Sequence, residues 1–190
     1  MKQEILTRAF EEASKNGLEG VTIGQLADDL GLSKAGVYGH FGSKERLQVG
    51  IVSHAAQVFL QRVIEPTLRD RGKAPRVARL FKHWLGWYRR APALPGCFFV
   101  GNATEVDDHP GEVRETFVGE MQRMMALIED FVRSDKDDGV LDRSTEPSQF
   151  AFEMYGIILS HHNADRLLLD KKADRRAKEA FAMLLARHTP

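Results

Sequence analysis

The sequence has very little cysteine: Cys97 is the only one among 190 residues. A lone cysteine excludes a framework of internal disulfides and the zinc sites that are built from several cysteines. Long apolar runs are missing as well. The longest segment without Asp, Glu, Lys or Arg covers residues 47–61, which is too short and too polar to span a bilayer. The sequence therefore predicts neither a disulfide-stabilised protein nor a membrane protein.

An excess of charge of one sign is also missing, because 27 basic residues stand against 27 acidic ones. Hydrophobic residues make up 43% of the chain and charged residues 28%, as in an ordinary globular protein. The length suits one large domain or two small ones. Residues 1–4 are not followed by an apolar segment of the kind found in signal peptides, so we expect no leader and a cytoplasmic location.

The charges are unevenly placed along the chain. The first 60 residues contain six basic and seven acidic residues, so this segment as a whole is not a basic surface for DNA. Between Asp29 and Glu45, however, there is no acidic residue, whereas Lys34 and Lys44 lie there. This acid-free window favours local contact with DNA over attraction by a broad positive field.

The hydrophobic pattern is helical along nearly the whole chain. In the first segment apolar residues recur at one-turn intervals, as in Ile5, Ala9 and Ala13. No alternation of Val, Ile and Thr supports a sheet. The spacing predicts an all-α fold of about nine helices.

Prolines mark two of the expected helix boundaries. The fourth helix begins after Ser43 and is expected to end at Pro66, because proline has no amide hydrogen to continue a helix. Residues 91–96 contain two prolines and a glycine and are expected to interrupt the helical pattern again.

Two short helices around Gly31 form the most informative local pattern. Thr22 precedes the first helix with Gln25 three residues later, the capping-box arrangement in which each side chain bonds the other's backbone amide. Gly31 permits a tight turn, and Ser33 caps the second helix. Such a pair is typical of a helix-turn-helix, whose second helix enters the major groove. The pattern alone also fits an ordinary helical hairpin in an all-α core.

Longer motifs in the same segment resemble a known family. Residues 22–27, 31–41 and 43–47 are similar to the DNA-binding head of the TetR family of transcriptional regulators, most specifically in the run Tyr-x-His-Phe-x-x-Lys-x-x-Leu that begins at Tyr38. Beyond roughly the first 50 residues, only the length and the helical organisation resemble the family. The resemblance implies a repressor that a small-molecule inducer releases from DNA. It also implies a helix-turn-helix DNA-binding domain over residues 1–48 and a helical ligand-binding and dimerisation domain over residues 49–190. Gly39 departs from the family pattern, which more often has a bulkier residue there.

The second helix of the motif supplies the candidate DNA contacts. The N-terminal side chains of a recognition helix face base edges, and here they are Lys34, Ala35 and Gly36. The resemblance implies that phosphates are held by Thr22, Tyr38, His40 and Lys44. Their hydroxyl and nitrogen donors suit that role. For Tyr38 and His40, packing in the core is the alternative.

The second domain is rich in aromatic residues and methionine. Pockets for small molecules are mostly apolar with a few polar anchors, and methionine adapts to irregular shapes. The pocket candidates are Trp84, Trp87, Tyr88, Phe98, Asn102, Glu105, Phe117, Met121, Met124 and Tyr155. The polar anchors among them are Asn102, Glu105 and Tyr155. A plain helical core is the alternative for any one of these residues.

The last two predicted helices carry more apolar residues than one face can hold. A helix of this kind is buried on two sides, and a head that reads only a few base pairs needs a second copy on a two-fold axis. We therefore expect a homodimer and a near-palindromic operator of double-stranded DNA. The expected interface residues are Phe150, Met154, Ile158, His161, Phe181, Leu184 and Leu185. A monomer whose last helices complete its own core is the alternative.

Signatures of catalysis and of cofactor binding are missing. The sequence has no glycine loop for phosphates and no nucleophile motif, so we expect no catalytic residue, no cofactor and no metal site. The alternative function is a small α-helical enzyme, because two adjacent carboxylates, Asp107 and Asp108, are expected beside a pocket. Cys97 fits a buried apolar residue better than a redox sensor. His161 and Asp165 have metal-pair spacing but fit a polar interface pair better.

Overall fold

The computed structural model describes residues 1–91 and 94–190, and within these ranges the chain contains helices and no strand. The α-helices are α1 (Lys2–Asn16), α2 (Ile23–Leu30), α3 (Lys34–Phe41), α4 (Lys44–Phe59), α5 (Glu65–Arg69), α6 (Arg76–Trp84), α7 (Phe98–Val106), α8 (Glu112–Asp137), α9 (Pro147–Arg166) and α10 (Ala173–Ala186). A π-helical segment, Leu60–Ile64, joins α4 to α5 without a break, and a 3-10 segment, Trp87–Arg90, follows α6. If α4 to α5 is counted as one helical segment, the prediction of an all-α fold with about nine helices is confirmed. None of the helices in the described ranges is both long enough and apolar enough to cross a membrane.

The expected end of the fourth helix at Pro66 is wrong. The helix changes to π-helical hydrogen bonding at Leu60–Ile64 and continues as α5 to Arg69. Pro66 directly follows the π-helical segment, in the first turn of α5, and the altered hydrogen-bond register of that segment accommodates a residue without an amide hydrogen. The second expected interruption, at residues 91–96, includes Pro92 and Ala93, which lie outside the described residues.

The helices form two compact units, which we describe separately. The first unit contains Met1–Phe59 and Tyr88–Met121, and the second contains Leu60–Trp87 and Gln122–Pro190. The predicted functional boundary after residue 48 falls inside the first unit and stays a prediction.

The core of the first unit is built around α1. Its buried face consists of Ile5, Ala9, Phe10 and Ala13, the one-turn pattern seen in the sequence. Helix α1 packs on α4 and on α7, and the ring centroid of Phe10 lies 5.6 Å from that of Phe98. This packing anchors α7 to α1, which itself contacts α2 of the helix-turn-helix.

The core of the second unit is built on the pairing of α9 with α10. The ring of Phe181 stacks on that of Phe81 with centroids 4.0 Å apart, which ties α10 to α6. A carboxylate from α8 caps α6: Asp135, which is buried, accepts from the amides of Arg76 at 2.9 Å and Val77 at 3.0 Å. Pro75 at the N-cap position has no side-chain acceptor, so Asp135 satisfies amides that the helix start leaves open.

Candidate nucleic-acid interface

A tight turn joins α2 to α3. Gly31 adopts φ 65° and ψ 29°, in the left-handed region that favours glycine. The amide of Leu32 donates to the carbonyl of Ala27 at 2.8 Å and closes the turn. Leu26 and Val37 are fully buried between the two helices and the rest of the unit. The two helices therefore have the local construction of a helix-turn-helix.

Both predicted caps are present, but the predicted capping box is incomplete. Thr22 Oγ1 accepts from the amide of Gln25 at 3.2 Å, and Ser33 Oγ accepts from the amide of Gly36 at 3.0 Å. The side chain of Gln25 does not return to Thr22, because it donates to Asp29 Oδ1 at 2.6 Å. Asp29 lies one turn ahead on the same helix face, and an ionised carboxylate is a strong acceptor. This bond is the main cause that holds the pKa of Asp29 below its ordinary value.

Helix α3 leaves most of its surface exposed. Only Val37 and Phe41, one turn apart, are buried and anchor the helix. The exposed residues include every DNA-contact candidate on this helix: Lys34, Ala35, Gly36, Tyr38 and His40. Tyr38 keeps 52% of its surface exposed, so it does not pack in the core. The outer face of α3 is therefore available to a partner from outside this unit.

Gly39 lies on α3 where no other segment of the described chain packs against it. A Cβ built at Gly39 would meet no atom within 4 Å in the described part of the chain. Glycine costs a helix about 0.5–1 kcal/mol relative to alanine because of its backbone freedom. Since no internal contact requires it, any requirement for glycine at this position comes from a close external approach.

The loop before α2 holds Lys44, at the start of α4. Lys44 Nζ donates to the carbonyl oxygen and to Oε2 of Glu19, both at 2.9 Å. Gln48 donates to Glu19 Oε1 at 2.8 Å and to the carbonyl of Leu18 at 3.2 Å. The bond from Lys44, and next the bond from Gln48, lower the pKa of Glu19. Lys44 remains exposed at the surface, so a different anion can reach its ammonium group.

Glu105, a candidate pocket anchor, bonds the same loop from α7. Its Oε2 accepts from the amide of Leu18 at 2.8 Å and its Oε1 from the amide of Glu19 at 2.5 Å. Gly17 makes room for it, because a Cβ there would lie 2.6 Å from Oε2. Two consecutive backbone amides thus hold one carboxylate. The carboxylate on α7 is thereby connected to Glu19, which holds Lys44.

Sequence reasoning missed Glu19 and Gln48 as members of this network. Glu105 is 86 residues from Glu19 along the chain, and no local pattern signals a contact over that distance. The sequence pattern indicates Gly17 only as the residue that ends α1. Its φ of 82° and the close approach of Glu105 give it a second reason to be glycine.

The pocket candidates divide between the two units. In the first, Phe98 and Phe117 have ring centroids 6.2 Å apart, and Phe99 lies 5.3 Å from each. Asn102 is 2% exposed, and its Nδ2 donates to the carbonyl of Phe98 at 2.9 Å. Its Oδ1 has no hydrogen-bond partner within the described residues. Tyr88 is buried in this unit, and Met121 is half-buried.

The remaining pocket candidates lie in the second unit. Trp84 and Trp87 are buried, and the ring of Trp84 lies 6.0 Å from that of Tyr155. Tyr155 and Met124 are half-buried. Within their own units the structure therefore brings together Phe98 with Phe117, and Trp84 with Tyr155.

Most of the interface candidates are buried within the chain itself. The buried ones are Phe150, Met154, Ile158, His161, Phe181 and Leu184, and Leu185 is half-buried. The large apolar side chains that α9 and α10 leave exposed are others, notably Phe152 at 71% and Met183 at 68%. A pattern of apolar residues on two sides of a helix does not tell which side faces the core of its own chain. The apolar surface that α9 and α10 leave exposed therefore carries residues outside the predicted set, and the predicted interface itself stays a prediction.

Two family models match the chain. The model for bacterial regulatory proteins of the tetR family matches residues 5–48. The model for the tetracyclin repressor-like C-terminal domain matches residues 74–181, which is more than half of the chain.

Two curated relatives are similar over different lengths. The HTH-type transcriptional repressor NemR of Escherichia coli (strain K12) is 21% identical over 159 residues, which cover 83% of this chain and 80% of that protein. The nucleoid occlusion factor SlmA of Haemophilus influenzae (strain PittGG) is 26% identical over 94 residues, 49% of this chain. That match spans 43% of SlmA, less than half of its length.

Solved structures share the fold. A TetR transcriptional regulator from Chloroflexus aurantiacus J-10-FL superposes with a TM-score of 0.81 at 20% identity, covering 100% of this chain and 98% of that one. AibR, solved in complex with isovaleryl coenzyme A and operator DNA, superposes with a TM-score of 0.70 at 20% identity, covering 97% and 96%. The helix-turn-helix, the shared fold and the two family models lead to one conclusion: the chain belongs to the TetR family of bacterial transcriptional regulators.

Proposed function

We propose that this protein is a ligand-responsive transcriptional regulator that binds double-stranded operator DNA through α3. Residues 1–48 form the DNA-binding domain, and residues 49–190 form the body that binds ligand and a second copy. The observation that carries this proposal is the exposure of α3, in which only Val37 and Phe41 are buried. A short capped helix with two internal anchors and an open outer face fits the major groove of DNA.

The side chains on and around α3 have the chemistry that DNA requires. Lys34, in the first turn, is placed to donate to guanine acceptors in the groove. The hydroxyls of Thr22 and Tyr38 and the imidazole of His40 are exposed and suit phosphate oxygens. The outer face of α3 carries little side-chain bulk at Ala35, Gly36 and Gly39. The helix backbone can therefore approach the bases closely.

Lys44 contributes to DNA binding by exchanging the carboxylate of Glu19 for a DNA phosphate. Its bond to Glu19 lies at the surface, with both side chains exposed, and surface pairs of this kind contribute only about 0–1 kcal/mol. A DNA phosphate at the N-terminus of α4 offers a comparable anion, and the helix dipole favours it there. Lys44 therefore leaves Glu19 for phosphate when DNA binds.

The effector has an apolar body and a hydrogen-bond donor. Support comes from Asn102, whose buried Oδ1 has no partner in the described chain and which lies on α7 with the clustered Phe98 and Phe99. A buried acceptor without a donor costs about 1–3 kcal/mol. A ligand that supplies the missing donor recovers this free energy and thereby binds to α7.

Binding at α7 is coupled to the head through Glu105. Asn102 and Glu105 are one turn apart on α7, and Glu105 holds the amides of Leu18 and Glu19. A ligand that shifts α7 at Asn102 therefore shifts the loop that positions Lys44. The ligand releases DNA only if it binds the DNA-incompetent arrangement more tightly than the competent one.

The regulator acts as a homodimer through α9 and α10. A groove of about 660 Å³ lies between these two helices. Small side chains form part of its lining: Gly156, Ala164, Ala173, Ala177 and Ala180. Small residues permit the close approach of a second helix pair, and the exposed Phe152 and Met183 supply apolar surface. Two copies then present two α3 helices to a near-palindromic operator.

The alternative of a small helical enzyme has no supporting observation of its own. Asp107 and Asp108, the carboxylates that kept it open, are exposed at the end of α7. We assign neither a catalytic role nor a cofactor, and we place the regulator in the cytoplasm with its DNA.

A mobility-shift titration with the DNA upstream of the gene tests the proposal. The wild-type chain is expected to bind this DNA more tightly than a scrambled duplex of equal length. A variant that carries Lys34→Ala and Tyr38→Ala, both exposed positions, is expected to lose this preference and to keep its fold by circular dichroism. Equal binding of both duplexes by the wild type contradicts the proposal.

A further inference from the structure

We propose that His161, Asp165 and Asp174 bind a divalent transition-metal ion that links α9 to α10. One ligand atom from each of these three side chains lies within 4.8 Å of the others. His161 and Asp165 are one turn apart on α9, and Asp174 lies in the first turn of α10. Two helices thus direct an imidazole nitrogen and two carboxylate oxygens to one point.

His161 is the fixed member of the set. It is 4% exposed, and its Nε2 lies 2.7 Å from Asp174 Oδ1. Burial and this contact hold the ring in one orientation, so a metal need not order a mobile imidazole. The two carboxylates are only half-buried, which leaves a side open to solvent.

Solvent reaches the ligand set at the two half-buried carboxylates, whereas the imidazole of His161 adjoins a groove. His161, Ala164 and Ala173 line the groove of about 660 Å³ between α9 and α10. Arg176 lines the same groove, but its guanidinium pairs with Asp170 at 2.9 Å. Asp165 and Asp174 do not line this groove, so the ion approaches from the side of the half-buried carboxylates, where water completes its coordination.

The ligand chemistry selects the class of ion. One imidazole with two carboxylates and no thiolate suits Zn²⁺, Co²⁺ or Mn²⁺ rather than Cu⁺. Zinc–nitrogen and zinc–oxygen bonds of about 2.0–2.2 Å place tetrahedral ligand atoms about 3.3 Å apart. The present 2.7 Å between His161 Nε2 and Asp174 Oδ1 is a hydrogen bond, so the ion replaces the proton between these atoms, the proton passes to solvent, and the two atoms move apart by about 0.6 Å.

Calorimetric titration of the full, untagged chain with ZnCl2, after dialysis against a chelator, tests the proposal. The ligand variant is Asp165→Asn, which removes one carboxylate ligand from α9 and leaves the contact between His161 and Asp174. The control variant is Glu179→Gln, which removes one negative charge from α10 outside the proposed site. We expect one zinc ion per wild-type chain, binding unchanged in Glu179→Gln, and affinity at least about tenfold weaker in Asp165→Asn.

Two further readouts keep the test decisive. Zinc in about 100-fold excess over its Kd is expected to raise the Tm of the wild type by about 5 °C or more, and not that of Asp165→Asn. Co²⁺ is expected to give visible absorption with the wild type alone. If Asp165→Asn does not fold, the same comparison is made with Asp174→Asn. Zinc binding that is absent from the wild type, or equal in the wild type and the ligand variant, overturns the proposal.

Discussion

The carboxylate of Glu105 accepts a hydrogen bond from the amide of Glu19 at 2.5 Å, across 86 residues of sequence. The same carboxylate accepts from Leu18 at 2.8 Å, and Glu19 in turn holds Lys44. A single side chain on α7 therefore connects the helix that carries Asn102 with a candidate phosphate ligand. This connection gives the proposed regulator a physical route between ligand and DNA.

Glu105→Gln is expected to weaken this connection. An amide keeps one acceptor but loses the charge, so at least one of the two backbone amides loses its strong bond. We expect the free energy of unfolding to fall by about 1–2 kcal/mol, measured by urea denaturation. Glu115→Gln, an exposed carboxylate on α8, serves as the control and is expected to change little. Equal stability of both variants contradicts the role assigned to Glu105.

Lys44→Ala and Lys34→Ala are expected to affect DNA binding differently. Loss of a phosphate contact at Lys44 weakens binding to all sequences alike and lowers the slope of log K against log salt by about one. Loss of a base contact at Lys34 relaxes the preference between sequences, at about 1–3 kcal/mol for the affected position. Fluorescence anisotropy on matched and mismatched duplexes separates the two. Lys178→Ala on α10, exposed and outside the helix-turn-helix, is the control; the assignment fails if all three variants behave alike.

Gly39→Ala separates stability from DNA contact. A Cβ at this position meets no atom within 4 Å in the described chain, so alanine is expected to stabilise the free protein by about 0.5–1 kcal/mol. If the bare backbone of α3 approaches DNA closely, the same substitution weakens operator binding. Thermal melts and anisotropy on one preparation measure both. Operator affinity that rises together with stability contradicts close approach at Gly39.

Met183→Glu is expected to convert the dimer into monomers. Met183 lines the groove between α9 and α10 and is 68% exposed, so glutamate there does not disturb the core of the chain. Sedimentation of the wild type is expected to give twice the chain mass of 21.4 kDa, and the variant the chain mass itself. Ala182→Glu, exposed on α10 and outside the groove, is the control. A wild type that sediments as a monomer at micromolar concentration contradicts the proposed assembly.

Acid is expected to destabilise the protein through His54. Burial lowers the pKa of His54, so the unfolded chain binds a proton more readily than the folded one. At pH 7.5 the imidazole of His54 is neutral in both states, so its burial costs no protonation free energy. The free energy of unfolding falls as the pH drops through the ordinary histidine pKa of about 6.5. Urea denaturation at pH 7.5 and 5.5 measures the loss. His54→Gln is expected to show a smaller loss; an unchanged pH dependence contradicts the assignment. Burial also lowers the pKa of His162, so part of the loss of stability in acid is expected to remain in His54→Gln.

Local signals in the sequence predict the head well. Ser33, Gly42 and the spacing of Val37 and Phe41 suffice to set α3 at Lys34–Phe41, because caps and one-turn spacing act over a few residues. Pro66 predicts the wrong end for the fourth helix, because a π-helical turn before it lets the helix continue. The direction of the Gln25 side chain also differs from prediction, because Asp29 competes for it.

Contacts between distant segments lie beyond the reach of such signals. Nothing near Glu105 indicates that Leu18 and Glu19 are its partners. On α9 and α10, periodicity shows that two faces are apolar but not which face meets the chain's own core, so it does not indicate that Phe152 and Met183 are the exposed ones. The convergence of Asp174 with His161 depends on how the chain turns between α9 and α10.

Selection of bound duplexes from a random DNA pool by the full wild-type chain tests the central claim most directly. The account predicts enrichment of a near-palindrome whose two half-sites are separated by about one helical turn, 34–36 Å, or a multiple of it. It also predicts that the Lys34→Ala and Tyr38→Ala double variant loses this enrichment while remaining folded. A pool in which the wild type enriches no sequence contradicts DNA recognition by α3.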